Sequence, residues 1–353
     1  MEKRKYTYNK EFTLENGYTF TNGIEISYHI SKEYKISNND KNKAVIWITH
    51  ALTANSNPCE WWNTIVGEGK ILDPRKYTII CSNVIGSCYG TTGASSYNAL
   101  TNRPYMLDFP KTTIRDIVAA HEILRKALEI EKIDLLIGGS VGGFQAIEWG
   151  IINRTSIRKI VLIATNAKMS PWAIAFSESQ RMALYTDKSF VQQNYIKQKQ
   201  EYIITSGKNG LATARSIALI SYRSYYCYNK MQQDEDKNVL FNHRVSSYQR
   251  YQGEKLVKRF CPYSYLSMLN LSDSHNIGRD RGGVEKALQL LKAHIICIGI
   301  DSDYLFPPQE LKDISSYITN SQYYQISSIY GHDGFLLEHE QLNKILKNYI
   351  PNN

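Results

Sequence analysis

Short apolar runs alternate along the chain with stretches of helical periodicity. Ala44 to Ile48 (AVIWI) and Tyr77 to Ser82 (YTIICS) are nearly continuous apolar or β-branched runs of strand length. That is the pattern of strands buried on both faces. Asp134 to Ile137 (DLLI), Lys159 to Ala164 (KIVLIA) and His294 to Ile300 (HIICIGI) repeat it, and Tyr323 to Ile326 offers a last strand. Between them, Ile117, Val118, Ile123, Leu124 and Leu128 fall at helical spacing within Thr113 to Leu128, and Val141 to Ile152 predicts a further helix. This alternation predicts an α/β fold with a mainly parallel sheet and helices on both faces. Residues 12–30 differ. Two Asn-Gly pairs, Asn16-Gly17 and Asn22-Gly23, punctuate alternating apolar residues and predict a β-meander.

From about 168 to 285 the pattern is helix-like, rich in Tyr, Gln, Ser and Arg, with no convincing strand. The expected organisation is therefore a core of residues 1–167 and 286–353, with 168–285 inserted as a helical cap. A chain of 353 residues can bury a large apolar core, and its 42% hydrophobic and 21% charged content is that of an ordinary soluble domain. No apolar run approaches the roughly 18 residues that span a bilayer. The start, MEKRKYTYNKEF, is basic with no apolar stretch behind it, so it does not read as a secretory signal, and cytoplasmic residence is expected. Cys59, Cys81, Cys88, Cys227, Cys261 and Cys297 show no CxxC pairing and no metal rhythm with histidine. They read as free buried thiols, with neither a disulfide nor a metal site. The net charge of +9 is scattered, with no basic arm or block, which argues against nucleic acid. A weaker reading is a surface that draws in a polyanionic small molecule such as a CoA thioester.

Gly138-Gly139-Ser140-Val141-Gly142 follows a predicted strand and opens a predicted helix. This is the context of a G-x-S-x-G nucleophile elbow, which implies an α/β-hydrolase fold. Glycine flanks the serine because a side chain there would clash with the neighbouring strand or helix. Val141 N–H would point at the reaction centre from the helix N-terminus. The elbow predicts an acid after a later strand and then a histidine near the C-terminus. Asp301 and Asp303 follow HIICIGI, and His332 follows the last strand. Such a histidine takes the serine proton, and the aspartate holds its tautomer. The remaining histidines, His50 included, read as structural, as do Trp61 and Trp62.

HALTAN (50–55), NVIGSCYGTTG (83–93), LDFPKTTIRD (107–116), GGSVGGFQAIEW (138–149), DSDYLFPP (301–308) and YGHDGFL (330–336) together resemble the homoserine O-acetyltransferase family. The resemblance runs from about residue 12 to the C-terminus. It implies transfer of acetyl from acetyl-CoA to the homoserine hydroxyl, in methionine biosynthesis, by a ping-pong route through an acyl-serine. Acetyl-CoA would be a co-substrate and no cofactor would stay bound. The resemblance assigns Ser140 as nucleophile, His332 as base and Asp303, rather than Asp301, as acid. It places the oxyanion hole at the N–H groups of Leu52 and Val141. It gives the homoserine carboxylate and amine to Arg215, Tyr222 and Asp333, and it implies a homodimer with the caps at the interface. A cation for the carboxylate and an anion for the amine suit a zwitterion. The sequence departs from the usual family pattern at Ala54 (glycine), Ala94 (proline) and Val141 (often methionine). Succinyl-CoA as donor, serine as acceptor, a plain hydrolase and a ligand-binding protein without activity remain as alternatives.

Overall fold

Strand patterning becomes one eight-stranded sheet. The computed structural model describes residues 1–35, 43–198 and 201–351. The strands, in chain order, are β1 (Glu2–Tyr8), β2 (Ile24–Ile30), β3 (Val45–Thr49), β4 (Thr78–Ser82), β5 (Leu135–Gly139), β6 (Lys159–Ile163), β7 (His294–Ile300) and β8 (Ser321–Ile326). Their spatial order is β1-β2-β4-β3-β5-β6-β7-β8. β1 pairs antiparallel with β2, and β2 antiparallel with β4; every other pairing is parallel. β5, which leads into Ser140, lies centrally between β3 and β6.

The parallel strands are continuous apolar runs because both their faces are covered. Trp47, Leu136, Ile160, Leu162, Ile295 and Cys297 point to one core. Their neighbours Ile46, Ile48, Leu135, Ile137, Val161, Ile163, Ile296 and Ile298 point to the other. Such alternation is the period-2 geometry of a strand. On the first face lie α1 (Ile114–Ala127) and α2 (Val141–Ile152). A capping box between Thr113 and Asp116 starts α1, satisfying orphan donors from both sides. α2 is apolar all round and buried along nearly its whole length, as a helix wedged between sheet and neighbours must be.

Between β6 and β7 the chain forms α3 (Pro171–Thr186), α4 (Lys208–Tyr222), α5 (Arg244–Val257) and α6 (Pro262–Asp273), with shorter helices between. The inserted stretch is not wholly helical. Tyr195–Gln198 pairs with Glu201–Ile204 as a two-stranded antiparallel ribbon, where no strand was expected. The N-terminal strand β1 was likewise unexpected. The expected meander is only partly regular: Phe12–Thr13 pairs with Thr19–Phe20, and β2 then joins the main sheet. Of the cysteines, Cys81, Cys227 and Cys297 are buried, while Cys59, Cys88 and Cys261 are only half-buried. No helix among the described residues is long and apolar enough to cross a membrane.

One buried ion cluster ties α2 to α1 and to the C-terminal end of the inserted stretch. Glu148, on α2, accepts from Arg281 Nη1 at 2.8 Å and lies 3.3 Å from Arg115 Nε. Removing Glu148 takes from Arg281 its paired carboxylate, while Arg115 keeps Glu15 at 2.8 Å. Glu148→Leu should therefore lower stability by about 3 kcal/mol. In urea unfolding the midpoint should drop while the slope stays constant. A loss within experimental error would show that solvent already screens the cluster.

Candidate active site

Ser140 sits between the end of β5 and the start of α2 with φ +56° and ψ −128°. That backbone region costs a non-glycine residue about 1–3 kcal/mol. The surroundings hold it there. Ser140 N–H donates to Ile163 O at 2.9 Å. Its carbonyl accepts from Gly143 N at 2.8 Å and from Thr165 Oγ1 at 2.8 Å. The elbow glycines are required by contact. A Cβ on Gly142 would lie 2.2 Å from Thr49 O, and one on Gly138 would lie 2.3 Å from Gly142 O.

His332 lies in a short turn after β8, and Asp303 in the loop after β7. His332 Nε2 is 2.8 Å from Ser140 Oγ, and Nδ1 is 2.7 Å from Asp303 Oδ2. Asp303 is buried, and its Oδ1 accepts from Leu305 N at 2.9 Å and Phe306 N at 3.0 Å. The carboxylate is thus aimed, and it fixes the tautomer with N–H on Nδ1. Asp301 instead accepts from Ser327 Oγ and Ser328 N, which joins two loops. Phe306, Phe335 and Tyr222 surround the His332 ring, with centroids 5.1, 5.6 and 5.8 Å away. Burial alone would lower the His332 pKa. The charge and hydrogen bond of Asp303, with the charge of Asp333, outweigh it and raise the pKa above its ordinary 6.5.

The loop carrying Leu52 is sewn to its neighbours. Asn83 donates to Ser56 Oγ at 2.8 Å and accepts from Ser56 N at 2.8 Å. Val84 N donates to His50 Nε2 at 3.2 Å. Burial lowers the His50 pKa to about 4, so the ring stays neutral and structural, as expected. Among the described residues, neither Leu52 N–H nor Val141 N–H has a protein acceptor. Both residues border Ser140 at a small cavity of about 30 Å³, lined also by Met169, Phe176, Leu305 and Phe306 and by no charged side chain.

Ser140 also borders a pocket of about 400 Å³. Leu52, Ser140, His332, Arg215, Tyr222 and Asp333 all line it. The Arg215 guanidinium lies 5.3 Å from the Tyr222 ring centre. Asp333 Oδ2 lies 2.9 Å from Arg223 Nε, an ion pair without the alignment of a hydrogen bond. Sequence reasoning missed Arg223, and also Lys255, Arg259 and Glu60 on the pocket wall. Of the paired tryptophans, Trp62 is buried packing, donating to Phe335 O at 3.1 Å. Trp61 stacks on it and packs against the core, and it also lines the pocket.

The raised His332 pKa has a direction in kinetics. A histidine that acts as base must be neutral, so with His332 in that role kcat/KM should fall as pH drops through a value above 6.5. Asp303→Asn removes both influences of Asp303 that raise the pKa and leaves burial, so this limb should move to lower pH while kcat drops by up to roughly 10⁴-fold. Glu310, near Asp303, is raised to about 7, chiefly by burial. Glu310→Gln should leave the limb in place; its disappearance in that variant would reassign it.

The comparisons with known proteins agree with this fold. Residues 44–338 match the family model for the alpha/beta hydrolase fold. A homoserine O-acetyltransferase of Cyclobacterium marinum is 45% identical over 317 residues, covering 89% of this chain and 87% of that protein. The crystal structure of homoserine O-acetyltransferase from Bacillus anthracis superposes with a TM-score of 0.86 at 21% identity, covering 100% of this chain and 98% of that one. Esterase E22 superposes with a TM-score of 0.85 at 21% identity, covering 99% of each chain. The chain therefore belongs to the homoserine O-acetyltransferase family of the α/β-hydrolase fold.

Proposed function

We propose that this chain moves an acetyl group from acetyl-CoA to the L-homoserine hydroxyl through an acetyl-Ser140 intermediate, as a cytoplasmic step of methionine biosynthesis. One observation carries the reading. The hydrogen-bonded series Asp303–His332–Ser140 opens into a pocket whose wall holds a cation, Arg215, and an anion, Asp333. Ser140 Oγ attacks the thioester carbonyl as His332 Nε2 takes its proton. Leu52 and Val141 N–H groups receive the oxyanion. His332 returns the proton to the leaving thiolate. The homoserine hydroxyl then gives its proton to His332 and attacks the acyl carbon, and Ser140 is regenerated. Arg215 and Tyr222 hold the carboxylate of homoserine. Asp333, shared with Arg223, takes its amine, so the acceptor lies beside the base.

Two further features support the substrates. Lys255, at the end of α5 on the pocket wall, offers a cation to the CoA phosphates. The cavity of about 30 Å³ suits an acetyl methyl, since a cavity of roughly 10–15 Å³ holds one water. A succinyl group adds a methylene and a carboxylate that no charged residue there would meet. The fold is shared with an esterase, so water is the competing acceptor. Exposed Tyr225, Tyr226, Leu240 and Phe241 in the inserted segment favour a homodimer through the caps.

CoA release should depend on homoserine and be slow without it. Equal rates in its absence would leave a hydrolase. Ser140→Ala should abolish CoA release with both substrates present. Arg215→Ala should raise the homoserine KM at least roughly tenfold with little change for acetyl-CoA, and Lys255→Ala should do the reverse more weakly. Similar changes in both KM values for either variant would refute the division of roles.

A further inference from the structure

Gln145 lies in the segment GGSVGGFQAIEW, yet no chemical step above uses it. It is fully buried on α2. Its Nε2 lies 3.0 Å from His50 O and 3.2 Å from Val141 O. Both are carbonyls, so the amide nitrogen must face them and donate to each. Its Oε1 faces His121 Nε2 at 3.0 Å, so that ring nitrogen carries the proton. His121 Nδ1 then accepts from Ser82 Oγ at 2.9 Å. Burial lowers the His121 pKa to about 4, so the ring is neutral with one tautomer. The series runs in one direction, from the Ser82 hydroxyl through His121 and Gln145 to two peptide carbonyls. A flipped amide would set oxygen against both carbonyls.

Those carbonyls belong to the two segments that carry the free N–H groups. Val141 carries one itself. His50 O lies just before the turn, closed by Ala54 N–H to Ala51 O, in which Leu52 carries the other. A single side-chain amide therefore spans the two halves of the site from behind. We propose that Gln145 is a positioning residue that sets the spacing of the Leu52 and Val141 N–H donors, with His121 holding its amide in the productive orientation. The inference rests on those two groups forming the oxyanion hole.

Gln145→Met keeps the length and burial and removes both donor and acceptor. The test measures kcat per active site, with sites counted by a serine-directed phosphonate, and the KM for each substrate. It also measures inhibition by methylboronic acid, whose tetrahedral adduct with Ser140 places an oxygen in the oxyanion hole. The expected result is a kcat roughly 10- to 100-fold lower, less than complete loss of an oxyanion donor would cause. Boronate affinity should weaken by a similar factor, with both KM values within about threefold of wild type. An unchanged kcat per site, or a fall in kcat with boronate affinity intact, would overturn the proposal. Should Gln145→Met fail to fold, His121→Leu removes only the group that orients the amide, and about a 3- to 10-fold loss in both readouts is expected. His121→Gln can restore an N–H near the same place and should recover most of it; equal loss in both His121 variants would leave His121 a packing residue and overturn its part. Boronate binding needs no acyl donor, so its result stands apart from any failure of acetyl transfer.

Discussion

The constraint that the candidate site depends on is the close approach of α2 to the end of β3. The Gly142 α-carbon sits so near Thr49 O that a methyl group would fall 2.2 Å from it, and Thr49 Oγ1 donates to Gly142 O at 2.7 Å. This contact sets how far the helix is driven into the sheet. Ser140 consequently stands at the crest of the turn in a strained backbone conformation with positive φ, supported through its backbone by Ile163 and Thr165 from β6 and its following loop. The loop after β3, with Leu52, is held beside the helix N-terminus by the same approach. The proposed nucleophile and both candidate oxyanion donors thus depend on this glycine-to-carbonyl contact.

Around that point the protein divides the chemistry between its sheet and its inserted segment. The sheet supplies Ser140, Asp303 and His332 from loops at the ends of its strands, with Asp303 fixed by two backbone N–H groups. Polar groups behind the site are neutral and paired: His50 and His121 are held uncharged by burial, so neither competes with His332 for a proton. The inserted segment supplies the groups proposed to select the acceptor. Arg215 and Tyr222 come from α4, and Arg223 reaches Asp333 beside His332. Arg259, between α5 and α6, donates to Thr53 O and Tyr89 Oη, both at 2.6 Å. The inserted segment therefore also grips the loop that bears Leu52.

Much of the core and of the candidate site was legible in the sequence. Strands buried on both faces announce themselves as apolar runs, and the elbow is local in sequence, with its glycines dictated by contact. The order of serine, aspartate and histidine follows strand order in the fold. What the sequence concealed depends on long-range partners. β1 is a charged, half-exposed edge strand, and only its pairing with β2 makes it a strand. The ribbon in the inserted segment is short and its first strand is largely exposed, so no buried face marks it. Trp61 and Trp62 are adjacent and chemically alike; the short helix Pro58–Trp61 turns one to the pocket and the other to the core. The pairing of Arg223 with Asp333 joins distant segments and leaves no local trace. The family resemblance named Arg215, Tyr222 and Asp333, and the fold gathers them on one pocket wall.

The most direct test is the fate of an acetyl group on Ser140, followed by peptide mass in a single turnover. Acetyl-CoA alone should load one acetyl group onto the peptide bearing Ser140 and release one equivalent of CoA. Added homoserine should then discharge it, with an equal yield of O-acetylhomoserine. Acetyl found on another residue, or acetyl lost from Ser140 as acetate at the same rate with and without homoserine, would contradict the acyl-serine transfer route.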